Sequence, residues 1–342
     1  MNTIELLGEE ETFRNIVERE IIEFEDNKID VIGNYAFYYY SNVTGVSFPI
    51  ATSIGEYAFQ NCSGLTNVSF PKATSIGQEA FRSCSKLTSV SFPNVTSIEY
   101  NAFRSCSNLT SVSFPVATSI GKQAFYSCSG LTNVSFPKAT SIGDSAFGDC
   151  SSLPSVSFPL VTSIGYEAFK SCSSLTEVSF PGITSIADDA FYSCSGLTSV
   201  SFPLATSIGG YAFSGCSGLT SVSFPVATSI GIRTFYGCSS LTSVSFPVAT
   251  SIGYRAFKNC SGLTSVSIPN ATSIGQEAFN SCRSLTTIYV GTNISTVCTL
   301  SDVDAFTNCT NLTNIYVPAS LVDSYKSATN WSSHASKIKA TP

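Results

Sequence analysis

The sequence predicts an α/β repeat solenoid, a right-handed coil of parallel strands with short helical or irregular outer segments and a helical cap at each end. Three observations predict it. Every 22nd residue from Phe48 to Phe246 is a Phe followed by Pro, and Ile268 and Val290 continue that column. Cysteines recur at the same interval from Cys62 to Cys282. Charged residues make up only 12% of the 342 positions, with one His, one Trp and one Met, so a few positions are being copied many times. A period kept this long means that each turn makes the same contacts with its neighbours, and the chain grows by adding turns instead of enlarging one core.

The elements follow in order. Residues 1–20 are expected to form an N-terminal helical cap, with Phe13, Ile16 and Val17 on one side of a helix from Glu9 to Glu20. Ile21, Phe24 and Ile32 then fall on the repeat columns, and Tyr35, Ala36 and Phe37 complete a degenerate first unit whose Cys position holds Tyr40. The repeat region runs from 21 to 318. Residues 65–86 show its grammar: LTNVSFPKATSIGQEAFRSCSK. Leu65, Val68 and Phe70 suit a strand with an apolar inner side. Pro71 ends it, having no N–H for the ladder. Gly77 is expected to supply an unusual backbone angle. Ala80, Phe81 and Cys84 have the spacing of one or two helical turns with an apolar inner face. Identical consecutive strands must be parallel, with right-handed crossovers. Five extra residues enter near 291–302, after which one strand, residues 312–317, remains. Residues 319–342 are expected to form a short helical C-terminal cap, with Leu321, Val322, Tyr325, Trp331 and Ile338 covering the last turn.

The net charge of −6 is uneven. Residues 1–30 hold ten acids and three bases, which is −7, so the remainder carries +1. A nearly neutral array has no electrostatic grip on nucleic acid, which is excluded as a partner. No apolar run is long enough to span a membrane, so membrane insertion is not expected. The start, MNTIELLGEEETF, lacks the basic and apolar stretches of a secretory signal. Either export by that route is absent or a leader precedes this chain.

The runs LTSVSFP at 197–203 and SIGKQAFYSCSG at 119–130 closely resemble the BspA-like class of leucine-rich repeats, found on surface proteins of gut and oral bacteria and in some protists. The resemblance covers about residues 21 to 318. It implies a leucine-rich-repeat array, a role as an adhesin or as a host- or matrix-binding protein, and a place on the cell surface or outside the cell.

No motif points to catalysis, a cofactor or a metal site. The cysteine ladder reads as buried thiols, because cysteine packs as a small apolar side chain and a straight ladder does not converge on a metal. Stacked Cβ atoms about 4.8 Å apart are also too far for a disulfide. Cys298 lies outside the ladder and is read as either reactive or buried. His334 has no Ser, Cys or Asp partner in a catalytic pattern. Asp188 and Asp189 read as solvated outer positions.

The reading is therefore a non-catalytic binding or adhesion module that presents a concave parallel sheet to a protein or glycan partner. Candidate contacts are Asn67, Asn133 and Glu177 in an otherwise serine-rich strand column, and Tyr289 and Tyr316 where aromatics replace serines near the C-terminal end. The two tyrosines either face a partner or pack on the cap. Leu204, Val226 and Val248, each after the repeat proline, form either an exposed stripe suited to protein contact or self-association or a strip half-buried between turns. The alternatives are a structural spacer or stalk in a larger surface or phage-like assembly and, more remotely, ice or mineral binding by Thr-Ser columns such as Thr74 and Ser75.

Overall fold

The computed structural model describes residues 29–342 throughout and, before them, the backbone of Thr3–Ile4 and Ile21–Glu23. The helix expected from Glu9 to Glu20, and with it the N-terminal helical cap, lies outside the described residues. The chain divides into two compact units, Met1–Leu175 and Thr176–Pro342. Both are parallel-strand solenoids made from the same 22-residue coil.

Each coil has three sides. The first is a three-residue strand such as Ser111–Ser113, parallel to Ser89–Ser91 on one flank and Asn133–Ser135 on the other. Its register is one full repeat: Val112 lies opposite Val90 and Val134. The β-branched valine points inward and the flanking serines outward, as strand alternation requires. The second side is a two-residue strand such as Ser119–Ile120, parallel to Ser97–Ile98 and Ser141–Ile142. In the second unit the same sides recur, for example Ser243–Ser245 beside Ser265–Ile268 and Ser229–Ile230 beside Ser251–Ile252.

The third side corrects the sequence reading. Ala124, Phe125 and Cys128 do point inward and are fully buried, but no helix carries them. Gln123 and Ser127 have φ of +55° and +57°, and a pair of left-handed residues four apart recurs in coil after coil. A right-handed helix cannot pass through such residues. Instead the N–H groups alternate in direction. Those of Ala124, Tyr126 and Cys128 close tight turns onto carbonyls three residues back. Those of Gln123, Phe125 and Ser127 donate to Asp144, Ala146 and Gly148 of the next coil, each at 2.8 Å. A single helical turn leaves most of its N–H groups unpaired, whereas this arrangement spends half of them on binding coils together. The local strain predicts a graded outcome at Ser127. Ser127→Val, forcing a β-branched residue into left-handed backbone, is expected to cost about 1–2 kcal/mol in urea unfolding, while Ser127→Gly is tolerated.

Glycine also has a different role from the one expected. Gly77 does not have positive φ; the left-handed residues are Glu79 and Ser83. A Cβ on Gly77 would lie 2.6 Å from the backbone nitrogen of Glu56 in the preceding coil. Glycine here permits close approach of backbones, not an unusual angle. Two coils carry Glu99 and Ala187 in this column.

The core is a set of ladders. Leu, Ile, Phe, Ala and Cys of successive coils are buried, most at zero exposure, while among the strand valines Val90 and Val112 are buried and Val68 and Val134 half-buried. One phenylalanine ladder is nearly parallel: in the first unit, ring centroids from Phe59 to Phe81, Phe103 and Phe125 are separated by 5.2, 5.2 and 5.3 Å, with ring planes within 5° of parallel. The Phe-Pro ladder meets it edge-on, as Phe114 does Phe125 at 6.1 Å. Offset and edge-to-face contacts of this kind are the favoured aromatic geometries.

At the ends the parallel ladder reaches into the segments expected to be caps. Thr3–Ile4 pairs with Val31–Ile32, and Ile21–Glu23 with Gly45–Ser47. At the other end Thr299–Leu300 pairs with Ser273–Ile274, so the insert rejoins the ladder. The C-terminal segment has one α-helix, Val322–Ser327, between 3-10 turns at Ala319–Leu321 and Ser332–Lys337. It finishes as a strand, Ile338–Ala340, parallel to Asn314–Val317. Tyr325, Trp331 and Ile338 are buried, while Leu321 and Val322 are only half-buried.

Candidate functional site

The strand face is the surface on which the sequence places a partner. Asn67 is exposed, and lines a shallow depression of about 340 Å³ with Thr44, Ser47, Thr66 and Ser69. Asn133 is exposed on the same face of the same unit, three coils away or about 14 Å at ordinary strand spacing, so the two residues do not converge. Glu177 is exposed in the second unit.

Tyr289 and Tyr316 do come together. Thr287–Val290 and Asn314–Val317 are adjacent parallel strands with the tyrosines in register. Their rings stack at 5.0 Å and 23°. Both are half-buried. The next residue in the column is Lys339, opposite Tyr316 on the final strand, with its Nζ donating to Asn314 Oδ1. The cap therefore extends this column with a cation instead of covering the rings. Lys339 was not legible as a contact residue, because its strand has no repeat signature.

Leu204, Val226 and Val248 stand in consecutive coils with 52%, 38% and 40% of their surface exposed. They form the open stripe, not the half-buried strip. The stripe ends at Asn270, whose Nδ2 donates back to the carbonyl of Pro247.

The threonine hydroxyls are engaged inside the ladders. Thr74 Oγ1 donates to the Thr52 carbonyl at 3.1 Å, and Thr140 and Thr272 repeat the contact. The strand threonines do likewise, as Thr132 to Thr110.

All 13 cysteines are free and buried. Within each unit the ladder thiols donate to phenylalanine carbonyls of the preceding coil, as Cys84 to Phe59 and Cys128 to Phe103, both at 3.1 Å, and Cys238 to Phe213. Cys298 is buried too. Its N–H donates to Tyr325 Oη at 2.9 Å, and its carbonyl accepts from Trp331 Nε1 at 2.7 Å. Burial pushes the thiols of Cys62, Cys216 and Cys298 from 9.0 up to about 12. Folding thus favours the protonated form. That contribution is complete below pH 9, where unfolded thiols are also protonated, and is lost as pH rises from there toward 12. Urea midpoints are expected to fall between pH 9 and 11. At neutral pH an aromatic disulfide reagent is expected to find no reactive thiol until the protein unfolds, when all 13 react.

His334 is half-buried and edge-on to Phe306 at 5.3 Å. Burial, then Lys337, holds its imidazole below 6.5. Among the described residues, no group of three or more His, Cys, Asp or Glu side chains is placed to hold a metal ion. No helix among them is long and apolar enough to cross a membrane.

The turn side of the coil carries variety that a reading of the strand column passes over. The positions after the repeat glycine and around the repeat Ala-Phe vary from coil to coil. In the first unit they build a closed network: Glu79 accepts from Gln60 Nε2 and Arg82 Nη1 at 2.7 Å and from Asn101 Nδ2 at 3.2 Å. The signal for this face was present as variability within an otherwise copied unit.

Comparison with known proteins agrees with this geometry. The family described as BspA type Leucine rich repeat region (6 copies) matches residues 8–132, 118–228 and 206–335. A leucine-rich repeat protein of Bacteroides ovatus ATCC 8483 is 26% identical, with 94% of this chain and 92% of that chain covered and a TM-score of 0.66. A leucine rich cell surface protein of Faecalibacterium prausnitzii A2-165 is 27% identical over 92% of this chain and 87% of that one, with a TM-score of 0.50. The pneumococcal vaccine antigen PcpA shares the fold at 16% identity, over 88% and 80% of the two chains, with a TM-score of 0.51. No curated protein matches in sequence. With its 22-residue coils, inward Phe and Cys ladders and family match over nearly its whole length, this chain belongs to the BspA-type leucine-rich repeat family.

Proposed function

We propose that this chain is a non-catalytic binding module of the bacterial surface type, which holds a protein or glycan partner on its strand face. The observation that carries the reading is the stacked Tyr289–Tyr316 pair, continued by Lys339, where the coils from Ser47 to Ser267 offer serine. A half-exposed aromatic stack beside a cation supplies apolar area and a polar handle in one place. The cell-surface protein of Faecalibacterium prausnitzii, similar over most of the chain, supports display outside the cell. The exposed Leu204, Val226 and Val248 stripe is a second surface for protein contact or self-association.

The spacer reading has one observation in its favour: the serine columns of the remaining coils give a partner little to hold. Ice or mineral binding has less support, because the threonine hydroxyls already donate to neighbouring coils. The test is a glycan array and a surface-protein pull-down with the full chain and a Tyr289→Ala, Tyr316→Ala double variant. Loss of about tenfold or more in affinity for a captured partner is expected, the usual effect of removing central aromatic anchors. A partner held equally by the double variant rules this site out.

A further inference from the structure

The turn side of the second unit holds a cation without a counter-ion. Arg233 stands among three tyrosines from three successive coils, its guanidinium carbon 5.3 Å from the Tyr211 ring centroid and 5.7 Å from those of Tyr236 and Tyr254. Several basic residues on this side are paired with a carboxylate: Arg82 with Glu79, Lys170 with Glu167, and both Arg255 and Lys258 with Glu277; Arg104 lies over the Tyr126 ring and donates to the amide oxygen of Gln123. Those two partners hold the Glu277 carboxylate down at about 2. Arg233 forms no ion pair among the described residues. It uses one donor, Nη1 to Tyr211 Oη at 3.0 Å, and its Nε is buried with no acceptor. Arg255 and Lys258 thus share one carboxylate, and Arg233 has none. Asp188 and Asp189 lie two or more coils earlier, about 10 Å away at coil spacing, and Asp188 already accepts the N–H of Gly210.

The surroundings are open. Arg233 and the three tyrosines are only half-buried, and Ile232 beside them is 50% exposed. Gly237 replaces the side chain with which Asn259 of the next coil ties down Tyr236 Oη, and a Cβ there would meet nothing within 4 Å. Half-burying a guanidinium without a carboxylate is unfavourable, and the tyrosine faces offset only part of that. What is missing is an oxyanion acceptor. The planar fork of donors suits a carboxylate or sulfate, and tyrosine rings and hydroxyls suit the faces and hydroxyls of a sugar ring.

We infer that Arg233, with Tyr211, Tyr236 and Tyr254, forms a binding site for the carboxylate or sulfate of an acidic saccharide. The site is independent of Tyr289 and Tyr316. The test uses the full chain in calorimetric titrations with 3′-sialyllactose, 3′-sulfolactose and lactose. At least one acidic sugar is expected to bind about tenfold or more tightly than lactose, because a charge-assisted hydrogen bond is lost in the neutral sugar; the two arms separate carboxylate from sulfate. Arg233→Gln is expected to abolish the preference. Ile232→Glu, an exposed change that supplies the missing anion without touching the core, is expected to do the same and guards against a folding defect in the first variant. Lys138→Gln, an exposed cation of the first unit, and the Tyr289→Ala, Tyr316→Ala pair are expected to leave it intact. Equal binding of lactose, no binding of either acidic sugar, retention of the preference in both site variants, or tighter binding of a glutamate-rich hexapeptide would overturn the assignment.

Discussion

Replacing Phe125 with alanine is expected to cost about 3–5 kcal/mol, the range for emptying a fully buried aromatic site. Phe125 has zero exposure and stacks on Phe103 and Phe147 at 5.3 and 5.4 Å, with edge contacts to Phe114 and Phe136 at 6.1 and 5.8 Å. Its N–H donates to Ala146 and its carbonyl accepts the Cys150 thiol, both in the next coil, and the same carbonyl closes a turn with the Cys128 amide. The side chain is thus the mid-point of two aromatic ladders. In a solenoid each coil is held by its immediate neighbours, so a cavity here weakens the coupling between the coils before and after it. Unfolding in urea is expected to broaden or split, and amide exchange to accelerate most between residues 103 and 147. Phe125→Leu, which retains most of the volume, is expected to cost clearly less. A single sharp transition shifted by less than about 1 kcal/mol would contradict the ladder account.

Trp331→Ala is expected to be nearly as costly, about 3–5 kcal/mol, but with a local signature. Trp331 is 1% exposed, lies against Phe306 and Tyr325 at 6.0 and 5.2 Å, and donates to the Cys298 carbonyl. It closes the end of the Phe279–Phe306 stack and anchors the insert to the C-terminal segment. Its removal is expected to make Cys298 reactive toward thiol reagents while the ladder cysteines stay protected. Trp331→Phe keeps a ring but drops the hydrogen bond, at a cost of about 1 kcal/mol. Mass spectrometry after thiol labelling separates the outcomes: label spread evenly over the ladder would mean global unfolding and no capping role.

Much of this molecule could be read before any coordinates. The 22-residue column spacing dictates parallel strands in register, and Val112 opposite Val90 and Val134 is that spacing made physical. The inward set of Leu, Val, Phe, Ala, Ile and Cys was legible because strand alternation and burial are local rules that repetition averages over many copies. The burial of the ladder cysteines followed from the same logic.

What tertiary structure decided lies where a residue's conformation depends on the next coil. Ala124, Phe125 and Cys128 fit a helical spacing. Left-handed Gln123 and Ser127 win because N–H groups of that segment gain carbonyl partners across the stack, which no helix of one or two turns could supply. Gly77 is glycine for the distance to Glu56, a residue 21 positions back in sequence and in van der Waals range in space. Cys298 is buried by Tyr325 and Trp331, and Tyr289 and Tyr316 are stacked on each other with Lys339 beside them, because strands from the insert and the terminus are laid side by side. Arg233 meets Tyr211 and Tyr254 because neighbouring coils stack, and Tyr236 from three residues further along its own coil. The period by itself determined the coil, its inward columns and their stacking, through rules acting within one repeat. The fold alone decided which variable side chains from different coils meet on its surfaces, because stacking converts a separation of 22 residues into about 5 Å.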